Sequence, residues 1–385
     1  MAMNNDTYRP LSDKFILRFG ISPSKAYAIA GKWTWLGGDL PDESEKISFT
    51  INHHLKAVYQ PHDRPLIRLV LPGFPLLEYP LGHAPLFKPE SHHPFTLLSL
   101  MEDDAKTYQY RFQPVDAFLE TDFPPSLSCG YSTALVIVFA MLLMPDFATL
   151  SFLEKRQRIH RLEKKWMPLT FHPHDAHVLL QPGWHRLHAS GVQTLPNSWL
   201  KPILFDAFVP PTKTFLPPIE WDIPELLHAF LHNHPFTSLQ QMDRLWMDEH
   251  QGQLTDRYGE KMVLALRYFW DEQRRMTQVI SALEKQEIPL MLQKLLERER
   301  QRNRLHYELK EPMRLDTLER KRKILQEATP QMVWMDHSKG NKDIFVGVGE
   351  KSHNGKTLRQ LHHRFPPRSF IDFELASQTH KITNL

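Results

Sequence analysis

A single cysteine, Cys129, stands in the 385 residues of the chain. One thiol excludes an internal disulfide framework and any cysteine-based zinc finger, and it fits a reducing compartment. Glycine is scarce as well, at 15 residues against 31 prolines, roughly 8% proline where about 5% is ordinary. Long apolar runs are missing. The best membrane candidate, Ala134–Met144 (ALVIVFAMLLM), is eleven residues where about twenty are needed to cross a bilayer, so it reads as a buried helix. The opening MAMNNDTYRPLSDK lacks the basic-then-apolar order of a signal peptide. These absences leave no membrane among the expected partners and point to a cytoplasmic protein. No internal repeat is visible, and no Walker A motif: in GVGEKSHNGKT, Gly347–Thr357, the glycine spacing is wrong by one residue.

What is present can build a sizeable core. With 41% hydrophobic and 24% charged residues, the chain is globular and long enough for two or three domains. Lys14–Phe19, Lys46–Ile51 and Leu66–Leu71 read as strands, and Thr107–Val115 alternates Tyr108, Tyr110 and Phe112 against Gln109 and Arg111 as a half-buried strand does. Gly31–Leu40 and Leu71–Pro89 read as ordered loops. Ser126–Met144 reads as a loop entering the buried helix, and Ser151–Trp166 as a solvent-facing helix with Arg156, Arg158, Arg161, Lys164 and Lys165 on its surface. Prolines are too closely spaced over 167–221 for long helices. From Pro224 to Thr329 helical periodicity takes over, and Met262, Leu266, Phe269, Met276, Ile280 and Leu283 form one apolar stripe with Lys261, Asp271, Arg274, Arg275 and Glu284 off it. The run ERERQRNR, Glu297–Arg304, has no apolar position and must face solvent or a polar partner. Asp343–Val348 and Ser369–Leu375 read as strands again.

The fold class expected is therefore α+β, with a strand-rich N-terminal part, a C-terminal helical domain and a short β tail. The expected domains are 1–125 (strand-rich), 126–221 (mixed, proline-rich), 222–330 (helical) and 331–385, a basic β-rich tail whose strands could return to the N-terminal sheet.

Charge supplies the first functional expectation. Between Lys294 and Arg368 eighteen Lys or Arg face ten Asp or Glu, leaving 29 against 34 for the rest of the chain. A basic surface attracts phosphates through counterion release, although the same charges also suit a solvated helix laced with neighbouring ion pairs. The leading expectation is a non-enzymatic nucleic-acid-binding or assembly component. DNA or RNA would contact Arg298, Arg300, Arg302, Arg304, Arg320, Lys321, Arg322 and Lys323. The glycine-rich segment resembles the loop of RNA-binding repeat-associated proteins of CRISPR systems, which would add Lys351, Lys356 and Arg359. No cofactor is expected in this reading, and a protein partner would use the helical domain.

Histidines supply the alternative. FHPHDAHVLLQPGWHRLH holds His172, His174 and Asp175, and imidazole with carboxylate is a common ligand set for zinc, iron or manganese. It resembles the opening His-x-His of several metal-hydrolase families. His228 and His232 lie four apart on a helix, a chelating spacing. Together they would hold a divalent transition metal in a hydrolase. A protein-only scaffold is the third class. Cys129, just before an apolar helix, is a candidate nucleophile, since a helix N-terminus favours thiolate.

Overall fold

The computed structural model describes residues 8–37, 44–82, 93–123, 129–168, 171–188, 190–201, 203–208, 223–233, 239, 242, 244–308, 312–336, 344–351, 370–373 and 380–384. The architecture is α+β: strands dominate the N-terminal part, helices follow, and short strands close the chain. Two compact units divide it. Met1–Trp33, Phe49–Gly183 and Leu375–Leu385 make the first, and Thr34–Ser48 with Trp184–Glu374 the second.

In the first unit, α1 (Arg9–Phe19) leads into β1 (Lys25–Leu36), β2 (Lys46–Pro61), β3 (Leu66–Val70) and β4 (Leu77–Pro80). Then come α2 (Pro94–Thr107), β5 (Val115–Thr121), α3 (Tyr131–Leu143), α4 (Phe152–Trp166) and α5 (Asp175–Leu180). The last strand, β12 (His380–Asn384), pairs antiparallel with β1, so the sheet order is β12-β1-β2-β5-β3-β4. β2 is antiparallel to β5, while β3 runs parallel to β5 and antiparallel to β4. α3 is buried along nearly its whole length, as an apolar helix without a polar face must be.

Three local expectations are corrected here. Lys14–Phe19 is helical, because the decisive pair is Leu11 and Phe15, four residues apart and buried against Ala26, Ala28 and Val58. Gly20, at φ 72°, ends that helix and donates its N–H to the Ile16 carbonyl at 2.8 Å. Gly31–Leu36 continues β1 instead of looping away. Gly31 fits inside the strand because a Cβ there would stand 2.9 Å from the Phe123 ring and 3.2 Å from the Cys129 Cβ. Tyr108–Pro114 is not a strand, since α2 ends at Thr107 and β5 starts at Val115. Tyr108 and Tyr110 alternate because their rings stack on the guanidinium groups of Arg161 and Arg158, at 4.2 and 3.7 Å.

α4 carries a capping box between Ser151 and Glu154, but one of its five expected surface cations is misplaced. Arg158 is 2% exposed.

The second unit holds the hairpin β6 (Trp184–His188) and β7 (Gly191–Leu195), followed by β8 (Ile203–Phe208). Its helices are α6 (Ile223–Asn233), α7 (Arg244–Glu249), α8 (Gln251–Tyr258), α9 (Glu260–Glu284), α10 (Ile288–Glu308) and α11 (Pro312–Ala328). β9 (Met332–Asp336), β10 (Phe345–Glu350) and β11 (Phe370–Phe373) complete a sheet of order β11-β8-β10-β9. The stripe of α9 is buried as its spacing requires, from Met262 to Leu283. The apolar-free run of α10 does meet a polar partner. Arg298 Nε donates to Glu272 Oε1 of α9 at 2.5 Å and its Nη1 to Glu299 Oε1 at 2.9 Å, with all three side chains at most 4% exposed. Arg275, expected off the stripe, is buried too and hydrogen bonds Gln301.

A buried charge that loses its partner is costly, about 3–5 kcal/mol. Replacing Arg298 with Ala is expected to destabilise the protein by roughly that amount, read as a lower urea midpoint. A change below about 0.5 kcal/mol, the size usual for exposed sites, would show that Arg298 lies on the surface.

Candidate active site

β1, α3, α4 and α5 of the first unit bring five side chains, Lys32, Ser132, Thr133, Glu163 and Asp175, together with Gly130. Lys32 projects from β1 and forms an ion pair with Asp175 Oδ1 at the start of α5, each side chain 6% exposed. The backbone N–H of Lys32 donates to the Cys129 carbonyl at 3.0 Å, which ties the strand to the segment entering α3. Gly130 caps α3 with a left-handed φ of 68° and no side-chain capping bond. A Cβ at Gly130 would stand 3.3 Å from Leu179 Cδ1, 3.6 Å from Asp175 Oδ2 and 3.7 Å from Lys32 Cβ. Glycine therefore keeps a narrow space open between the second oxygen of Asp175 and the first turn of α3, at a φ that other residues rarely adopt.

The first turn of a helix presents unpaired N–H groups and a partial positive charge, a common setting for phosphate. Here that turn also carries two hydroxyls. Ser132 Oγ and Thr133 Oγ1 donate to the same oxygen, Glu163 Oε1 of α4, at 2.9 and 2.6 Å. The other oxygen, Glu163 Oε2, is buried without a hydrogen-bond partner among the described residues. Burial pushes the Glu163 carboxyl up to about 7, with the neighbouring Asp175 charge adding to the rise and the two hydroxyls and Lys32 opposing it. A carboxylate of this kind suits a cation.

The thiol of Cys129 is not a nucleophile here. It is 1% exposed, and burial pushes it up to about 12, far from thiolate at neutral pH.

The other candidates are scattered. Asp175 faces Lys32, while His172 and His174 lie in the turn before α5. Among the described residues no group of three His, Cys, Asp or Glu is placed to hold a metal ion. Positions 228 and 232 lie on α6, in the other unit, and the side chains of His228 and His232 fall outside the described residues. In the basic set, Arg298 is buried in its ion-pair network, Arg300, Arg304, Arg320, Lys323 and Lys351 are exposed, and Arg302, Lys321 and Arg322 are half-buried. Lys356 and Arg359 lie outside the described residues.

No protein-family model matches the chain, and no curated protein matches its sequence. Solved structures do match. The galactokinase of Lactococcus lactis, solved with galactose, superimposes with a TM-score of 0.73 at 14% identity, covering 98% of this chain and 100% of its own. The D-glycero-D-manno-heptose 1-phosphate kinase of Bacteriodes thetaiotaomicron gives 0.57 at 10% identity, covering 94% and 99%. The mevalonate diphosphate decarboxylase of Enterococcus faecalis gives 0.53 at 9% identity over the same shares, 94% and 99%. The chain thus has a fold like that of the GHMP-family kinases.

This likeness overturns the expectation of a non-enzymatic nucleic-acid-binding component, and with it the hydrolase and scaffold alternatives. The fold neighbours are enzymes of small molecules, and DNA or RNA has no support among them. Of the eighteen cations in that stretch of sequence, Arg298 is turned inward by helix packing onto Glu272 and Glu299. Among the described residues no helix is long and apolar enough to cross a membrane.

The Glu163 shift has a consequence for stability. Its folded value, about 7, lies above its ordinary 4.5, so the folded state binds more protons between those values, and the stability this gives is present below about pH 4.5 and lost as pH rises through 7. Without divalent cations, wild type is expected to lose on the order of 1–3 kcal/mol relative to Glu163→Gln between pH 5 and pH 8. Urea unfolding of both proteins at the two pH values checks this, and parallel behaviour would contradict it.

Proposed function

We propose that this protein is a small-molecule phosphotransferase that moves the terminal phosphoryl group of a nucleoside triphosphate to a hydroxyl of its substrate. The observation that carries the reading is the buried Lys32–Asp175 pair with its second oxygen turned toward the glycine-opened first turn of α3. A carboxylate beside a phosphate-binding helix end is the pairing that hydroxyl-to-phosphate transfer requires. Support also comes from the fold neighbours: one is a galactokinase, one a heptose 1-phosphate kinase, and the Enterococcus faecalis enzyme binds ATP.

The roles follow from position. The N–H groups at the start of α3 hold the phosphates, and Gly130 lets them approach. Asp175 accepts the proton of the substrate hydroxyl as its oxygen bonds to the γ-phosphorus. The bond from that phosphorus to the β–γ bridging oxygen breaks, and the nucleoside diphosphate leaves. Lys32 holds Asp175 Oδ1 and so leaves Oδ2 as the oxygen that takes the proton. Glu163 Oε2, with the Ser132 and Thr133 hydroxyls, offers hard oxygen ligands that fit Mg²⁺, an ion usually bound by one or two carboxylates together with substrate phosphates. When bound there, Mg²⁺ would neutralise developing phosphate charge. In this reading the phosphates bind in the first unit, at the start of α3.

ADP release from ATP and Mg²⁺ is to be measured against a panel of sugars, polyols and their monophosphates. At least one hydroxyl compound is expected to accelerate release and to appear as its phosphate ester. Asp175→Asn should lower kcat by about 10²–10⁴-fold, the weight of a general base, while nucleotide affinity stays within a few-fold. Equal rates for wild type and Asp175→Asn, or release unaffected by every hydroxyl compound, would remove the assignment.

A further inference from the structure

Away from the candidate active site, the first unit buries a second arginine cluster with two donors left unpartnered among the described residues. Arg158 of α4 donates from Nε to Asp104 Oδ2 of α2 at 2.8 Å, and its guanidinium lies 3.7 Å from the centre of the Tyr110 ring. Its two remaining nitrogens, Nη1 and Nη2, are buried and have no hydrogen-bond partner among the described residues. One turn along α4, Arg161 donates from Nε and Nη2 to Asp104 Oδ1, at 2.9 and 2.7 Å, and stacks 4.2 Å from the Tyr108 ring. One carboxylate therefore serves two guanidinium groups. The segment that carries both tyrosines turns through Gln109 at φ 55°, a left-handed conformation that residues other than glycine seldom take.

Two independent facts converge. Buried polar groups in native proteins nearly always have partners, yet Arg158, 2% exposed, turns the nitrogen pair of its fork toward none. The local charge is also unbalanced, with two cations on one anion. Water would satisfy the donors and leave the charge. A group with two acceptor oxygens satisfies both, because the guanidinium fork matches carboxylate and phosphate geometry in its own plane, while the Tyr110 ring lies over one face of Arg158.

We propose that Arg158 and Arg161 form a second, non-catalytic binding site for a small oxyanion, a carboxylate or a phosphate group, held at Arg158 Nη1 and Nη2 with the charge of Arg161 beside it. The site uses none of the residues assigned to phosphoryl transfer.

Melting temperature is to be followed as sodium chloride is exchanged for sodium phosphate, or for sodium acetate, at constant ionic strength. A saturating rise is expected on top of the linear rise that excluded salts give every protein. Saturation by phosphate alone assigns a phosphate group, and saturation by acetate a carboxylate. Arg158→Met should lose the saturating part. Arg161→Gln, which leaves the charge of Asp104 to neutralise Arg158, should fold and bind roughly tenfold more weakly, about 1.4 kcal/mol for the loss of one nearby positive charge. A purely linear rise in wild type, equal affinity in Arg161→Gln, or a crystal structure at high phosphate and acetate with only water or another part of this chain on Nη1 and Nη2 would overturn the proposal.

Discussion

A lysine and an aspartate 143 positions apart in sequence share a buried ion pair, and the first unit is arranged around them. Two charges out of water persist only when each has its partner, because either one alone would cost several kcal/mol. Lys32 therefore fixes where β1 meets α5, and the Lys32 N–H on the Cys129 carbonyl fixes where β1 meets α3. Gly31 and Gly130 stand at the two points of that convergence. At Gly31 the Phe123 ring and Cys129 leave no room for a Cβ; at Gly130 the left-handed φ of 68° is the constraint, with Leu179 Cδ1 3.3 Å from where a Cβ would stand. Glu163 then completes a ring of polar groups at the head of a helix that is otherwise apolar.

The second unit uses buried charge for another purpose. Glu272, Arg275, Arg298 and Glu299 lie between α9 and α10 with matched signs. Hydrophobic stripes alone tolerate sliding of one helix along another, whereas an arginine fork on a particular carboxylate does not. Burying these four charged groups therefore fixes the register between the two helices, and the same burial removes Arg298 from any surface role.

Legibility in the sequence followed the range of the interactions. The α9 stripe and the α4 helix are local patterns with periods of three and four, α3 is a continuous apolar run, and all could be read directly. β1 was hidden by Gly31, since a glycine in a strand looks like a turn until the group pressing on it is known. α1 was hidden because its short apolar run reads equally as strand. The site was visible only in pieces. Asp175 drew notice for its neighbouring histidines, and Cys129 for its thiol, when their contributions are a carboxylate and a backbone carbonyl. Lys32 and Glu163 carry no local signal. A pattern that could have pointed to the candidate site, and was passed over for the thiol beside it, is Gly130-Tyr131-Ser132-Thr133, a glycine and two hydroxyls opening an apolar helix without the Walker A spacing.

Calorimetric titration of ATP into the protein at pH 7.5, with and without Mg²⁺, tests the arrangement of helix end and buried carboxylate most directly. Saturable binding near one site per chain is expected with Mg²⁺, weakened by chelation of the metal, by Glu163→Gln, and by lowering the pH to 6, where a proton competes for the Glu163 carboxylate. Absence of binding, or binding indifferent to metal, to pH and to Glu163→Gln alike, would mean that the head of α3 is a structural junction and not a nucleotide site.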